Sequence, residues 1–202
     1  FASARPSRPS TSAGRPTSGR STQPHSAGAV TRYSSTVPTP TSTGVRVFFL
    51  RHLSLPVELA GVFQLRQAMV WQKVARATDV RPWFLRDTPG FELLPELAPR
   101  SSEAIFDKIT FSAFEGTPLD IALRDCGITA FAICGVAMEI GIEPTVRHGA
   151  DLGYIPIVVT DACGAGNDEA GQRALASIEF MGDAFQTDAA TFAHLLGQHA
   201  PA

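Results

Sequence analysis

Four short apolar runs separated by helical patterns constrain the fold of this chain more than any other feature of its sequence. They are "RVFFL" (46–50), "AIFDKI" (104–109), "AFAICGVA" (130–137) and "YIPIVVT" (154–160). Each is rich in β-branched or aromatic residues and lacks regular polar alternation, as expected of strands covered on both faces of a parallel sheet. The segments between them read as helices. "TPLDIALRDCG" opens with Thr117 as N-cap and Pro118 at the first helical position, and closes at Gly127. In "GIEPTVRHGADLGY", Pro144 is tolerable only in a first turn, so the spacing predicts a helix beginning near Gly141. Its core face is Ile142, Val146, Ala150 and Leu152. "NDEAGQRALASIEF" predicts a third helix, capped by Asn167 or Asp168, with Ala170, Ala174, Ile178 and Phe180 facing the core.

Strand, helix, strand, helix in this order specifies a doubly wound α/β fold: a mainly parallel sheet flanked by helices in a Rossmann-like three-layer arrangement. In such sheets ligands bind beyond the carboxyl ends of the strands. The stretch from 55 to 103 is less regular. "ELAGVFQLRQAMVWQKVA" predicts an amphipathic helix, and the Pro-rich excursion over 79–102 has Trp83 and Phe91 as its anchors.

Composition divides the 202 residues near position 45. Residues 1–45 hold 18 Ser or Thr, six Pro and five Arg, with no acidic residue and no Leu, Ile or Met. Such a segment buries too little apolar surface to offset its ordering entropy, so it reads as a disordered arm before a domain over 46–202. A transit-like leader, an out-of-frame translation and a replaced segment in a degenerate relative are the origins this composition allows. The domain carries twelve basic against nineteen acidic residues, a net of −7, whereas the arm carries +5. An acidic domain with no basic cluster gives no footprint for nucleic acid. Three cysteines, Cys126, Cys134 and Cys163, form no CxxC pair and point to reduced thiols in a cytoplasmic protein. No apolar run approaches the roughly 18–20 residues that would span a bilayer.

The segments "FDKITFSAFEGTPLDIALRDCGI" and "ICGVAMEIGIEPTVRHGADLGYIPIVVTDAC" together resemble the isochorismatase-like cysteine hydrolases, which include nicotinamidases and related amidases. The likeness runs over about 46–197. It rests on the lysine before the SAF-G-T-x-L helix start, the GV turn and the ADLGY-to-VVTDAC step. The resemblance implies a six-stranded sheet, a small-molecule substrate, no organic cofactor and a tendency to form homo-oligomers. It also implies a triad of an aspartate ending the first strand, a lysine, and a cysteine opening the helix after the fourth strand.

Lys108 matches the lysine. The nucleophile position falls on Gly141, where a helix N-terminus would favour a thiolate and its amides would receive an oxyanion. The resemblance further implies a cis peptide between Val136 and Ala137, with the Ala137 and Gly141 amides facing the pocket. No run in the arm reads as the family's first strand, and no acidic residue precedes Glu58, so the catalytic aspartate is missing. Without that strand, "RVFFL" and "AFAICGVA" are expected to face each other across a gap. Cys134, seven residues before Gly141 and inside a strand, reads as an inert hydrophobe. Arg51 and His52 lie at the expected pocket mouth without a metal-binding Asp-x-His, so no metal is expected. His148 reads as solvated or capped. The sequence thus allows a hydrolase of a small carbonyl, amide or enol-ether compound that dispenses with a covalent sulfur, or a non-catalytic binding protein on the same fold.

Overall fold

The computed structural model describes residues 44–198; the arm expected over 1–45 lies almost wholly outside them. Five strands and five α-helices alternate along the described chain. The strands are β1 (Phe48–His52), β2 (Ala104–Lys108), β3 (Ala130–Val136), β4 (Ile155–Gly164) and β5 (Phe185–Thr187). The helices are α1 (Val62–Gln72), α2 (Leu119–Asp125), α3 (Glu143–Asp151), α4 (Asp168–Met181) and α5 (Ala189–Gln198). Every strand pairing is parallel. The strands form two sheets, β1–β2 and β3–β4–β5, and no described strand joins them. The α/β class follows the sequence reading, and among the described residues β1 and β3 face each other without pairing, as that reading expected.

Local chemistry sets the helix ends. The Thr117 hydroxyl accepts the Leu119 N–H at 3.2 Å, although α2 begins one residue later than its Pro118 suggested. Asn167 caps α4 by accepting the Ala170 N–H at 2.9 Å. Before α3 the chain makes a wide π-type turn over Met138–Ile142, and Pro144 falls in the first turn of the α-helix that follows.

The sequence reading is corrected at three places. β1 continues through Arg51 and His52, because Asp107 on the neighbouring strand neutralises the arginine. Phe180 is 87% exposed, since Ala174 and Ile178 define the core face of α4 and residue 180 lies well around the helix from them. The helix α1 forms but buries none of its residues, and Val62, Phe63 and Val70 are exposed.

Two clusters hold the core. One packs Met138, Ile142, Val146, Val158, Ala174 and Ile178, drawing α3 and α4 onto one face of the β3–β4–β5 sheet. The other joins Phe48, Leu50 and Phe106 of the smaller sheet to Phe114, Phe131 and Tyr154, so aromatic packing bridges the two sheets. Gly149 on α3 permits this: a Cβ there would lie 2.7 Å from the Phe131 ring and 3.0 Å from that of Phe114. On the opposite face of the larger sheet, Ala130, Ala132, Ile155 and Phe185 remain exposed. Both expected anchors hold the Pro-rich excursion. Phe91 is buried beneath the Arg51 guanidinium, 4.2 Å from the ring centroid, and Trp83 stacks on Trp71.

Candidate functional site

Parallel pairing places Arg51 beside Asp107 and His52 beside Lys108 at the carboxyl ends of β1 and β2. Register partners project to the same face of a parallel pair, so the four side chains separate into two functional pairs. Arg51 Nε donates to Asp107 Oδ1 at 2.8 Å, and Arg86 reaches Asp107 Oδ2 at 3.1 Å. This charge cluster ties the Pro-rich excursion to the strand ends.

The other pair faces the chemistry expected of the site. Lys108 Nζ donates to the Thr110 and Phe111 carbonyls, each at 2.7 Å. An ammonium carries three protons, so one remains for a ligand. Burial pulls the Lys108 pKa down to about 8, despite the two carbonyls that favour its charged form. His52 falls to about 4, chiefly by burial and then by the charge of Lys108, with a hydrogen bond to the Thr110 backbone opposing. Near pH 7 the pair is therefore a protonated lysine beside a neutral imidazole.

At the end of β3 the Val136–Ala137 peptide bond is cis, and Gly135 adopts φ 131°. Gly141 lies in the turn that follows. Its N–H donates to Ala137 O at 2.8 Å, an acceptor shared with the Ile140 and Ile142 amides. The Gly141 amide expected to receive an anion is thus engaged within its own turn. A Cβ built on Gly141 would meet no heavy atom within 4 Å, so open space lies beside this residue. Nearby, Glu139 accepts the Asn167 N–H through Oε1, while Oε2 is buried without a partner.

Burial pushes the Cys163 thiol up to about 12, the reverse of the shift that activates a nucleophile, whereas Cys134, read from sequence as an inert hydrophobe, is exposed on β3. Among the described residues no group of three His, Cys, Asp or Glu side chains could hold a metal ion. No described helix is long and apolar enough to cross a membrane.

A cavity of about 530 Å³ opens beside these strand ends. Its walls include Leu55, Phe63, Phe111 and Pro144, and its polar groups include Gln64, Ser112 and His148. Lys108 and Gly141 do not line it, although Ile109 and Thr110, directly after the lysine, do. In its wall the Ser112 hydroxyl meets His148 Nδ1 at 2.9 Å. Sequence reading missed this contact because 36 residues separate its partners. The only available signal was that Ser112 lies in the loop between β2 and α2, whereas His148 lies on α3, the helix after the next strand.

The isochorismatase domain model matches residues 17–190, most of the chain and part of the segment read as an arm. This chain belongs to the isochorismatase family. Among curated proteins, it is 38% identical over 113 residues to the ureidoacrylate amidohydrolase RutB of Klebsiella pneumoniae subsp. pneumoniae. That alignment covers 55% of this chain and 47% of the relative. It is also 40% identical over 78 residues to the uncharacterised isochorismatase family protein YwoC of Bacillus subtilis, covering 39% and 41% of the two chains. The matched stretches thus span under half the length of these two relatives. Among solved structures, an isochorismatase family protein from Desulfovibrio vulgaris superposes with a TM-score of 0.65 at 23% identity, covering 78% of each chain. A cysteine hydrolase from Pseudomonas syringae pv. phaseolicola gives 0.64 at 24% identity, over 79% of this chain and 75% of the other. At these identities the isochorismatase-family structures establish the shared fold.

Proposed function

We propose that this isochorismatase-family chain hydrolyses a small carbonyl, amide or enol-ether compound without a cysteine nucleophile. The observation that carries this reading is the Lys108–His52 pair at the carboxyl ends of parallel strands. Lys108 carries a positive charge at these strand ends and holds the loop entering the cavity wall through the Thr110 and Phe111 carbonyls, with one proton left over. His52, held neutral, offers a hydrogen-bonding imidazole without a competing charge. The open space at Gly141 leaves room for substrate or water. The amidohydrolase relative supports the substrate class. We place the reaction in the cytoplasm of a self-associating protein, with the catalytic domain over 46–202 and the family match reaching back into the preceding segment.

A binding protein on the same fold is the second reading, and the absence of any side chain at Gly141 favours it. Product analysis after incubation with a panel of small esters, amides and vinyl ethers separates the two. Turnover of any panel member supports the hydrolase. Saturable binding of panel members, measured calorimetrically, without product would establish the binding protein instead.

A further inference from the structure

The Ser112–His148 contact lies in the cavity wall and has no place in the lysine-centred scheme above. Ser112 is only 9% exposed, yet it lines the 530 Å³ cavity together with His148. The Ser112 oxygen accepts the Phe114 N–H at 3.2 Å and lies 2.9 Å from His148 Nδ1, within reach to donate its single proton there. His148 is held in turn by the Phe114 ring, with centroids 5.7 Å apart. In the neutral tautomer protonated on the second ring nitrogen, Nδ1 is the acceptor for this hydroxyl proton.

Lys108 reaches the same loop from behind. Its two hydrogen bonds hold the carbonyls of Thr110 and Phe111, the residues immediately before Ser112. Thr145 holds the following residue, accepting the Ala113 N–H at 2.9 Å while donating to Gly141 O at 2.7 Å. The serine is thereby fixed from both sides. One of the two Gln64 Nε2 protons is bound to Ile109 O, leaving the other as a donor at the cavity wall.

We infer that Ser112 and His148 form a nucleophile–base pair that cleaves a small uncharged ester or amide bound in this cavity. The inference rests on the hydrolase reading and names the group that replaces the absent sulfur. Ser112 Oγ bonds to the acyl carbon as its proton passes to His148 Nδ1. The carbonyl electron pair moves onto oxygen, where the free Gln64 proton meets it. Collapse of the adduct breaks the bond to the leaving group, which takes the proton back from His148. Water then attacks the acyl-serine with His148 again as base, releasing the acid and restoring the Ser112 hydroxyl. Leu55, Phe63, Phe111 and Pro144 give an apolar wall for a small acyl group, with Glu115 also in the lining to disfavour an anionic one, and the cavity volume suits a small organic molecule.

A small alkyl fluorophosphonate tests the pair without knowledge of the substrate. Incubation of the full chain, followed by peptide mass mapping, should place one phosphonyl adduct on Ser112. Ser112→Ala should abolish it. His148→Asn keeps an acceptor within reach of the hydroxyl but cannot act as the base, so it should slow labelling at least about 100-fold while circular dichroism stays unchanged. An adduct absent from Ser112, or formed equally fast in His148→Asn, would overturn the inference. Ester turnover surviving in Ser112→Ala would overturn it too, while leaving the hydrolase reading intact. No turnover of any panel member by the unaltered chain would defeat the hydrolase reading itself.

Discussion

Gly141 concentrates the functional question in one residue. Its backbone needs no glycine-only conformation and its missing side chain leaves open space, so the position tolerates a sulfur that the chain does not carry. Gly141→Cys should therefore fold with a thermal midpoint equal to or slightly above the parent, because a glycine leaves a helical turn. Alkylation at pH 7 should modify the new thiol about tenfold faster than Cys163, whose burial raises its pKa. Equal rates would mean that the turn does not favour a thiolate. His52 carries a second residue-scale expectation. Its folded pKa of about 4 lies below its ordinary 6.5, so the unfolded chain takes up the proton first as pH falls. Stability should be full above pH 6.5 and be lost as pH falls through the window towards 4, by up to about 3 kcal/mol. Urea titrations across this range should show that loss, and His52→Gln should remove most of it. An unchanged slope in the variant would exclude His52 as its source.

At the scale of elements, the charge cluster on Asp107 connects a long irregular excursion to two short strands. Arg51 and Asp107 are both largely shielded from solvent, so Asp107→Asn would leave a poorly hydrated guanidinium without its counter-charge. A loss of about 1–3 kcal/mol is expected, with faster proteolysis confined to 77–100. Uniform proteolysis would contradict the assigned role of the cluster. Gly149→Ala tests the packing of α3 on the aromatic bridge. The added Cβ meets ring carbons at 2.7 Å, so about 1–3 kcal/mol of overpacking should outweigh the gain in helix propensity.

These elements also show what could be read from sequence. Thr117 and Asn167 were legible as helix starts because capping is local. The extension of β1 through Arg51 and His52 was not, since it depends on a carboxylate 56 residues away. The exposed ring of Phe180 was misread because a short apolar helical pattern does not mark where its buried face ends. For the candidate site, Lys108 and Gly141 were pointed to by the family resemblance. The pairing of Ser112 with His148 and that of His52 with Lys108 arise only when strands and helices are brought together in register.

In the whole molecule, the two sheets differ in how well they are covered. Val146, Val158 and Ile178 beside β3–β4–β5 are fully buried, whereas every β1 residue keeps some exposure and α1 buries nothing. Hydrogen exchange should accordingly protect β4 and α4 most strongly and release β1, β2 and α1 at lower opening energies. Equal protection throughout would show that the smaller sheet is as well supported as the larger one. The division also places Lys108 on the less protected side, where it must fix the loop that begins the cavity wall. That makes the lysine the most direct test of the catalytic account. The measurement is kcat/KM for a turned-over ester or amide, compared between the unaltered chain and Lys108→Ala, with the fold checked by circular dichroism. A loss of about 100-fold or more with the fold intact is the expected result. An unchanged kcat/KM would contradict the assignment of Lys108 to the functional centre.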